Sequence, residues 1–317
     1  MMPLAMLSPE MAALLAELQQ QDAGLADPTT LPAAQGRAQS EQSNVRWNQQ
    51  LPPMAEVTPF SVSDGRLPAL SGTLYTPENA GAGAIIYVHG GGWAFCSAAT
   101  HQRSARLLAQ LSGVPVLLFD YRLAPEHPWP AGLEDTRRLW QQLTSGKLFP
   151  HLDRHKLALA GDSAGANLAL ALMLAQQPDD IRPVCGLLFY GVYGADFTTA
   201  SYRQCANGPG LTREKMQRYW QWYQPDHQQR LHPLVTPLNA SDQALMALPP
   251  LWMNAAQVDP LRSDSENLAA RLHQLGRRDR LQIVPGVVHG FMQMTLRLPA
   301  AVTAHKEAAD AWHNLTR

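Results

Sequence analysis

The sequence predicts an α/β protein in which a mostly parallel β-sheet is flanked by helices. From Ala84 onward, short apolar runs typical of buried strands alternate with helical patterns, as expected for parallel strands joined by crossover helices. After the first of these runs, strands are expected near residues 114–120, 156–160, 184–190, 250–256 and 280–284. Two glycine-containing motifs directly follow two of the strands, so both are expected at the sheet edge where the sites of open α/β folds lie.

The segment from Gly161 to Gly165 reads Gly-Asp-Ser-Ala-Gly and lies between a predicted strand and a predicted helix rich in Ala and Leu. This context is the one that the G-x-S-x-G motif requires, in which a sharp turn holds the serine in a strained conformation. A Cβ atom at either glycine would collide with the neighbouring strand or helix. The start of the helix directs free N–H groups at the reacting centre. The sequence therefore predicts Ser163 as a nucleophile, with Asp162 in a structural role.

A run of one histidine and three glycines begins at His89, directly after a strand-like segment. Consecutive glycines leave backbone N–H groups uncovered, which is what a tetrahedral oxyanion needs. Such a run is the second half of the oxyanion hole of lipases and esterases, whereas a phosphate-binding loop has another spacing and usually a lysine. We expect Gly91, Gly92 and Ala164 to donate to an oxyanion, and His89 to orient the loop by hydrogen bonding.

A serine nucleophile needs a base, and the base needs a carboxylate that orients it. Asp259 comes just after the strand-like run 250–256, and His289 lies in the loop after the next strand-like run. The order Ser163, Asp259, His289 is the order Ser, Asp, His expected for this type of site. Asp264 is the main rival carboxylate, and we expect it to support the Asp259 loop or to cap the following helix.

These motifs, in this order and spacing, resemble those of the hormone-sensitive-lipase-like carboxylesterases, a bacterial family with HGGG and GDSAG motifs. The resemblance is carried by residues 89–93, 121–126, 161–165, 259–264 and 289–291. It implies an α/β-hydrolase fold, with an eight-stranded sheet and a helical cap, and the catalytic triad of Ser163, Asp259 and His289. The family usually has a second glycine after GDSAG, and this chain has Ala166. In that respect, and in residues 190–194, it resembles the acetyl-esterase-like branch.

About 60 residues separate the strand-like segments 184–190 and 250–256, which is too many for a simple crossover. We therefore expect a helical cap formed by two segments on a catalytic core. The expected cap comprises residues 1–50 and about 196–245, and the expected core comprises residues about 51–195 and 246–317.

Four aromatic side chains are candidates for contact with substrate, namely Trp93, Phe95, Trp220 and Tyr223. Trp93 and Phe95 follow the glycine run and could contact the alcohol or the acyl group. Trp220 and Tyr223 lie on a predicted helix, where aromatic residues more often belong to the core, but in a pocket wall they would shorten the acyl channel. The methyl group of Ala166 could narrow the pocket as well. In the proline-rich loop after the strand at 114–120, we expect Glu126 to pair with Arg122 and brace the site.

The composition narrows the classes of partner and location. The 317 residues, 45% hydrophobic, can form one large α/β core with a small attached element. The net charge of −1 and the lack of a long basic run argue against nucleic acid and membrane partners, while 16% charged residues would favour self-association, including a homodimer. Three cysteines without metal-type spacing indicate thiols in a reducing environment, and a cytoplasmic location is expected.

The function predicted from these residues is a serine carboxylesterase that hydrolyses short-chain acyl esters through an acyl-enzyme on Ser163. It would need no metal and no organic cofactor, because the triad and the oxyanion donors suffice for acyl transfer. Two alternatives stay open. An amidase or deacetylase could use the same triad, and a ligand receptor of the same fold could bind without catalysis.

Overall fold

The computed structural model describes residues 6–63 and 65–316, so the first five residues of the expected cap, and Asp64 and Arg317 of the expected core, lie outside the described residues. Within them, eight strands form a single sheet in the order β1-β2-β4-β3-β5-β6-β7-β8. The strands are β1 Glu56–Val62, β2 Leu70–Thr76, β3 Ala84–Val88, β4 Val116–Phe119, β5 Leu157–Asp162, β6 Gly186–Phe189, β7 Leu251–Val258 and β8 Arg280–Val288. The strand β2 runs antiparallel to both of its neighbours and the other seven strands share one direction, which confirms the predicted eight-stranded, mostly parallel sheet.

Helices cover both faces of the sheet, because successive side chains of a strand point to opposite faces. In β3, Ile86 and Val88 belong to the apolar core on one face, and Ile85 and Tyr87 to the core on the other. The helices are α1 Pro9–Gln21, α2 Ala33–Asn44, α3 Ala98–Ser112, α4 Ala131–Thr144, α5 Ala164–Leu174, α6 Ala200–Gln204, α7 Arg213–Tyr223, α8 Asp242–Met246, α9 Arg262–Gln274 and α10 Pro299–Leu315. The first core packs against α4, α5 and α9, and the second packs against α1, α3 and α10.

The strand order creates a crevice at the carboxyl end of β3. This strand pairs with β4 on one side and with β5 on the other, and Val88 at its end lies beside Gly161 of β5. The chain leaves β3 toward β4 and leaves the adjacent β5 toward β6 on the opposite side, and this reversal opens a crevice at the ends of the two strands. Both glycine-containing motifs end up at this position, one after β3 and one after β5.

The two segments expected to form a cap contact each other through charged and polar side chains. Asp27 lies 3.6 Å from the ammonium group of Lys215, and Arg218 donates a hydrogen bond of 2.8 Å to the hydroxyl of Thr29. These contacts join the region before α2 to α7, and both regions adjoin the carboxyl end of the sheet.

Two further features bear on the predictions from composition. No helix of the described residues combines the length and the apolar character needed to cross a membrane. Cys96, Cys185 and Cys205 carry free thiols, as expected.

Candidate active site

Ser163 occupies a strained turn between β5 and α5. Its backbone angles are φ 53° and ψ −118°, a region that L-residues avoid unless the surrounding structure imposes it. The Ser163 N–H donates to the carbonyl of Phe189 at 2.9 Å. A Cβ atom at Gly165 would lie 2.0 Å from the carbonyl oxygen of Val88, and one at Gly161 would lie 2.6 Å from Gly165. The two glycines therefore permit the close approach that the sequence predicted.

A hydrogen-bonded relay connects Ser163 with a buried carboxylate. The Nε2 atom of His289 lies 3.0 Å from Ser163 Oγ, and its Nδ1 atom lies 2.7 Å from Asp259 Oδ2. Asp259 is fully buried, and its other oxygen accepts a hydrogen bond of 2.8 Å from the Leu261 N–H. The Tyr190 ring packs edge-on against the imidazole, with centroids 4.8 Å apart. This arrangement fixes the imidazole with one nitrogen toward the carboxylate and the other toward the hydroxyl.

The glycine loop after β3 lies beside this relay. Gly91, Gly92 and Ser163 line the same cavity, and Ala164 is the first residue of α5. Among the residues that the structure describes, no acceptor is paired with the N–H groups of Gly91, Gly92 or Ala164. The three predicted oxyanion donors are therefore available at the crevice where Ser163 projects.

Asp162 holds the glycine loop from behind. One of its carboxylate oxygens accepts hydrogen bonds from the Gly90 N–H at 2.9 Å and from the Tyr87 hydroxyl at 3.1 Å. The Nε2 atom of His101 lies 3.1 Å from the same oxygen. Burial raises the pKa of Asp162, but the pull of His101 and the other donors outweighs it and leaves the pKa below its ordinary value.

His89 begins the glycine loop and is packed as a neutral group. Its ring stacks on Tyr121 with centroids 4.3 Å apart, and the Tyr121 hydroxyl donates to the His89 carbonyl at 2.9 Å. Burial, together with the neighbouring His101, lowers the pKa of His89 to about 4. A neutral, stacked imidazole suits the orienting role expected for this residue.

Asp264 takes no part in the relay. Its carboxylate accepts hydrogen bonds from the N–H groups of Tyr193 at 2.9 Å and Gly194 at 2.7 Å, in the loop after β6. Burial raises its pKa to about 7. The loop that it supports is therefore the one after β6 and not the loop of Asp259, and it does not cap α9, whose N-cap residue is Leu261 and whose start has no side-chain cap hydrogen bond among the described residues.

A cavity of about 240 Å³ opens at Ser163, and both segments of the expected cap contribute to its wall. Side chains that the sequence analysis did not select form much of this wall: Asn44, Trp47, Cys96, His101, Leu211, Met216, Tyr219, Gln293 and Met294. The Tyr219 ring lies so near the glycine loop that a Cβ atom at Gly92 would be 2.4 Å from it. Met216 and Tyr219 are three residues apart on α7, a spacing that places them on one face of a helix.

The four aromatic residues considered for substrate contact lie behind this wall. Trp93 stacks on Tyr223 with centroids 4.1 Å apart and meets Trp220 edge-on at 5.0 Å. Phe95 packs edge-on against Tyr219 at 5.8 Å. All four are buried, and none of them lines the cavity at Ser163. The contacts among these four side chains join the residues that follow Gly92 to α7.

The structure corrects the expected pair of Arg122 and Glu126. Arg122 is held by Asp135, whose carboxylate accepts from its Nε atom at 2.8 Å and from its backbone N–H at 2.9 Å. Glu126 forms an ion pair with Arg37 of α2. The residues 122–126 are not helical, so a spacing of four does not bring the side chains of Arg122 and Glu126 together. The Arg122 guanidinium instead pairs with the fully buried carboxylate of Asp135.

The expectation for Ala166 is also wrong. Ala166 lies within α5, is fully buried in the core and does not line the cavity at Ser163. Its methyl group fills space between the helix and the sheet, and it cannot narrow the pocket.

Residues 85–293 match the model of a family described as alpha/beta hydrolase fold. The chain belongs to this family. The hydrolase is 35% identical over 222 residues to a carboxylesterase of Mycobacterium tuberculosis, covering 69% of this chain and 70% of the relative. It is 30% identical over 271 residues to an acetyl esterase of Salmonella paratyphi B, covering 83% of this chain and 81% of the relative. The structure of an ester hydrolase from the metagenome of Lake Arreo superposes with a TM-score of 0.90 at 30% identity, covering 98% of this chain and 99% of that one.

These likenesses confirm the resemblance to the hormone-sensitive-lipase-like carboxylesterases that the motifs suggested. The match begins within β3, just before the glycine loop, and ends just after His289, so it contains the relay and the predicted oxyanion donors. The two segments of the expected cap differ in this respect, because α2 of the first segment precedes the matched residues and α7 of the second segment lies within them.

Proposed function

We propose that the hydrolase cleaves short-chain acyl esters by forming an acyl-enzyme on Ser163. The observation that carries this proposal is the relay from Ser163 through His289 to Asp259 beside a cavity of about 240 Å³. The relatives named carboxylesterase and acetyl esterase support the class of reaction. The protein is accordingly a carboxylic ester hydrolase of its family.

In the first step, Ser163 Oγ attacks the ester carbonyl carbon and gives its proton to Nε2 of His289. The new O–C bond forms as the carbonyl π electrons move onto the carbonyl oxygen. Asp259 accepts a hydrogen bond from Nδ1–H, which holds the imidazole in the correct tautomer and stabilises its charged form. The buried position of Asp259 makes this interaction effective, because little water competes for the carboxylate.

The developing oxyanion is stabilised by N–H groups of Gly91, Gly92 and Ala164. Because these groups have no acceptor among the described residues, they do not have to break a hydrogen bond within the protein when the negative charge forms. The loss of one such donor costs about 3 kcal/mol of transition-state stabilisation in comparable sites.

The tetrahedral intermediate collapses when the C–O bond to the alcohol breaks and His289 returns its proton to the departing oxygen. Water then attacks the acyl-enzyme while Nε2 of His289 takes one of its protons, and the acid leaves as the Ser163 hydroxyl is restored. The side chains present can carry every proton transfer in this sequence.

The preference for short acyl chains rests on the wall next to the oxyanion donors. Tyr219 packs directly over Gly92, and Met216 lies one turn earlier on the same helix and is almost fully buried. A long acyl chain would have to displace these side chains. We propose that α2 and α7 together act as the cap that limits the cavity.

The test is hydrolysis of p-nitrophenyl esters from acetate to laurate by the wild-type protein and by Ser163→Ala. The expected result is a maximum at acetate or butyrate and loss of activity in the variant. A maximum at decanoate or laurate would overturn the short-chain preference. An equal rate in wild type and variant would overturn the role of Ser163, and matched amides would be assayed next.

A further inference from the structure

Trp47 lies where two cavities meet. One is the cavity at Ser163, and the other has a volume of about 270 Å³ and is lined by α1 and the residues around Trp47. Trp47 lines both and is only 9% exposed. Met294 lines the first cavity, and Leu296 and Arg297 line the second, so the partition consists of the Trp47 side chain and the chain that passes beside it.

The partition stands on the side of the site from which the alcohol leaves. His289 must return its proton to the departing oxygen, so the alcohol has to lie against the imidazole. Gly290, Gln293 and Met294 follow His289 in the chain and line the same cavity as Trp47. The acyl chain is then left with the part of the wall where Met216 and Tyr219 lie near the glycine loop.

Hydrogen bonds to α3 hold the Trp47 segment in place. Asn48 donates to the carbonyl of Thr100 at 2.7 Å and accepts from the Arg103 N–H at 3.1 Å. The Arg103 guanidinium reaches the carbonyl of Gln49 at 3.0 Å and the hydroxyl of Thr295 at 2.9 Å. The chain on either side of the partition is thus fastened to one arginine, and the partition is a fixed wall.

The second cavity is polar, and the described residues that line it offer no unpaired charge to a ligand. Of its two cationic side chains, Arg46 is paired with Asp22 and Arg297 is paired with Glu17. The remaining polar groups are the amides of Gln21, Gln49 and Gln50. Amides and paired ions suit a neutral, hydroxyl-bearing group better than an alkyl chain or an anion.

We propose that Trp47 sets the size of the alcohol that the site accepts, and so restricts the enzyme to esters of small alcohols. The second cavity is the space that the alcohol of a polyol ester would enter if the indole were removed. This inference rests on the proposed function, because it assigns one side of the same cavity to the leaving group.

The test compares wild type, Trp47→Ala and Trp47→Phe on three acetates: ethyl acetate, butyl acetate and glycerol monoacetate, with acid release followed at constant pH. For wild type, kcat/KM is expected to be highest on ethyl acetate. In Trp47→Ala, the ratio of glycerol monoacetate to ethyl acetate should rise about tenfold or more, the effect of a change in pocket size. The kcat/KM for butyl acetate should rise less because the second cavity is polar. Trp47→Phe should keep a ratio of glycerol monoacetate to ethyl acetate close to that of wild type.

A matched variant at the part of the wall assigned to the acyl chain distinguishes effects on the acyl group from effects on the alcohol. Met216→Ala should change the relative rates of ethyl acetate, ethyl butyrate and ethyl hexanoate, and should leave the ratio among the three acetates unchanged. Trp47→Ala should change the ratio among the three acetates and leave the relative rates of the three ethyl esters unchanged. A shift of the acyl series in Trp47→Ala, with no change among the acetates, would overturn the assignment of Trp47 to the alcohol.

Titration of Ser163 with an active-site phosphonate counts the folded sites in every variant, so a misfolded preparation is not taken for a slow enzyme. If wild type hydrolyses none of the esters, the proposed function fails. If wild type is active and Trp47→Ala, fully titrated, keeps the wild-type ratio of glycerol monoacetate to ethyl acetate, the inference about Trp47 fails alone. Should Trp47→Ala not fold, Trp47→Leu replaces it, with the same increase expected and the same contrary result.

Discussion

The carboxylate of Asp162 accepts a hydrogen bond of 2.9 Å from the backbone N–H of Gly90. The residue just before the nucleophile is thereby fastened to the residue just before the predicted oxyanion donors. Two motifs that are more than 70 residues apart in the chain are joined by one buried side chain.

Asp162→Ala should damage both stability and catalysis. The change removes the acceptor for the Gly90 N–H, for the Tyr87 hydroxyl and for the nearby His101, and because these groups are buried, we expect a loss of about 3 to 5 kcal/mol in the free energy of unfolding. Looser oxyanion donors should lower kcat by roughly tenfold or more. Urea denaturation and kcat per phosphonate-titrated site measure the two effects. Asp162→Asn retains an acceptor and should be milder in both, and a kcat equal to that of wild type in Asp162→Ala would refute the link.

Ser163→Gly should be more stable than Ser163→Ala, although neither should be active. The φ of 53° is unfavourable for any residue with a Cβ atom, and glycine relieves that strain by about 1 kcal/mol net of its greater freedom in the unfolded chain. Thermal unfolding of the two variants tests this. Ala166→Gly in the adjoining helix is the control, because glycine in regular helix should lower stability.

Arg37 ties α2 to the loops around the site, and Arg37→Ala should lower kcat/KM by roughly tenfold. Its guanidinium donates to the carbonyl of Ala94 at 2.7 Å and to the carbonyl of Ala124 at 2.8 Å, besides pairing with Glu126. The carbonyls should matter more than the exposed carboxylate, because surface ion pairs contribute about 0 to 1 kcal/mol. Glu126→Gln should therefore stay within about twofold of wild type. Equal losses in both variants would instead point to the ion pair.

His305 should make the protein less stable in acid. It is fully buried in α10, and burial lowers its pKa from 6.5 to about 4. The unfolded chain binds a proton below pH 6.5 and the folded protein does not, so this group's contribution is complete above pH 6.5 and is lost as the pH falls toward 4. The effect approaches about 3 kcal/mol.

His305→Leu should accordingly lose less stability than wild type between pH 7 and pH 4. Urea denaturation at a series of pH values gives the comparison, and parallel curves for the two proteins would contradict the assignment. The Asp264 carboxyl changes stability with pH in the opposite direction. Because its pKa is raised to about 7, it favours the folded state more at low pH than at neutral pH. Only the difference between wild type and variant isolates His305.

The central parts of the site could be predicted from the sequence because they are local to strand ends. Ser163, Asp259 and His289 each follow a strand of a parallel sheet, and parallel strands bring their carboxyl ends to one edge. The two glycine motifs have the same property. Local patterns were enough to place these residues without knowledge of any long-range contact.

The wall of the cavity depends on contacts that no local pattern encodes. Trp47 reaches the site because Asn48 bonds to Thr100, 52 residues away in the chain. On α7, the spacing of four and three places Trp220 and Tyr223 beside Met216, but it does not say which side of the helix faces the sheet. The sequence therefore left open whether Tyr223 lines the cavity or belongs to the core. In the structure Trp93 stacks on Tyr223, and both side chains are part of the core.

The stack of Trp93 on Tyr223 couples catalytic competence to enclosure. Trp93 directly follows Gly92, so a displacement of α7 that widens the entrance also pulls on the backbone that carries the oxyanion donors. The position of the oxyanion donors and the position of the helix that covers them therefore depend on one packing contact, and a substitution that shifts α7 is expected to disturb both.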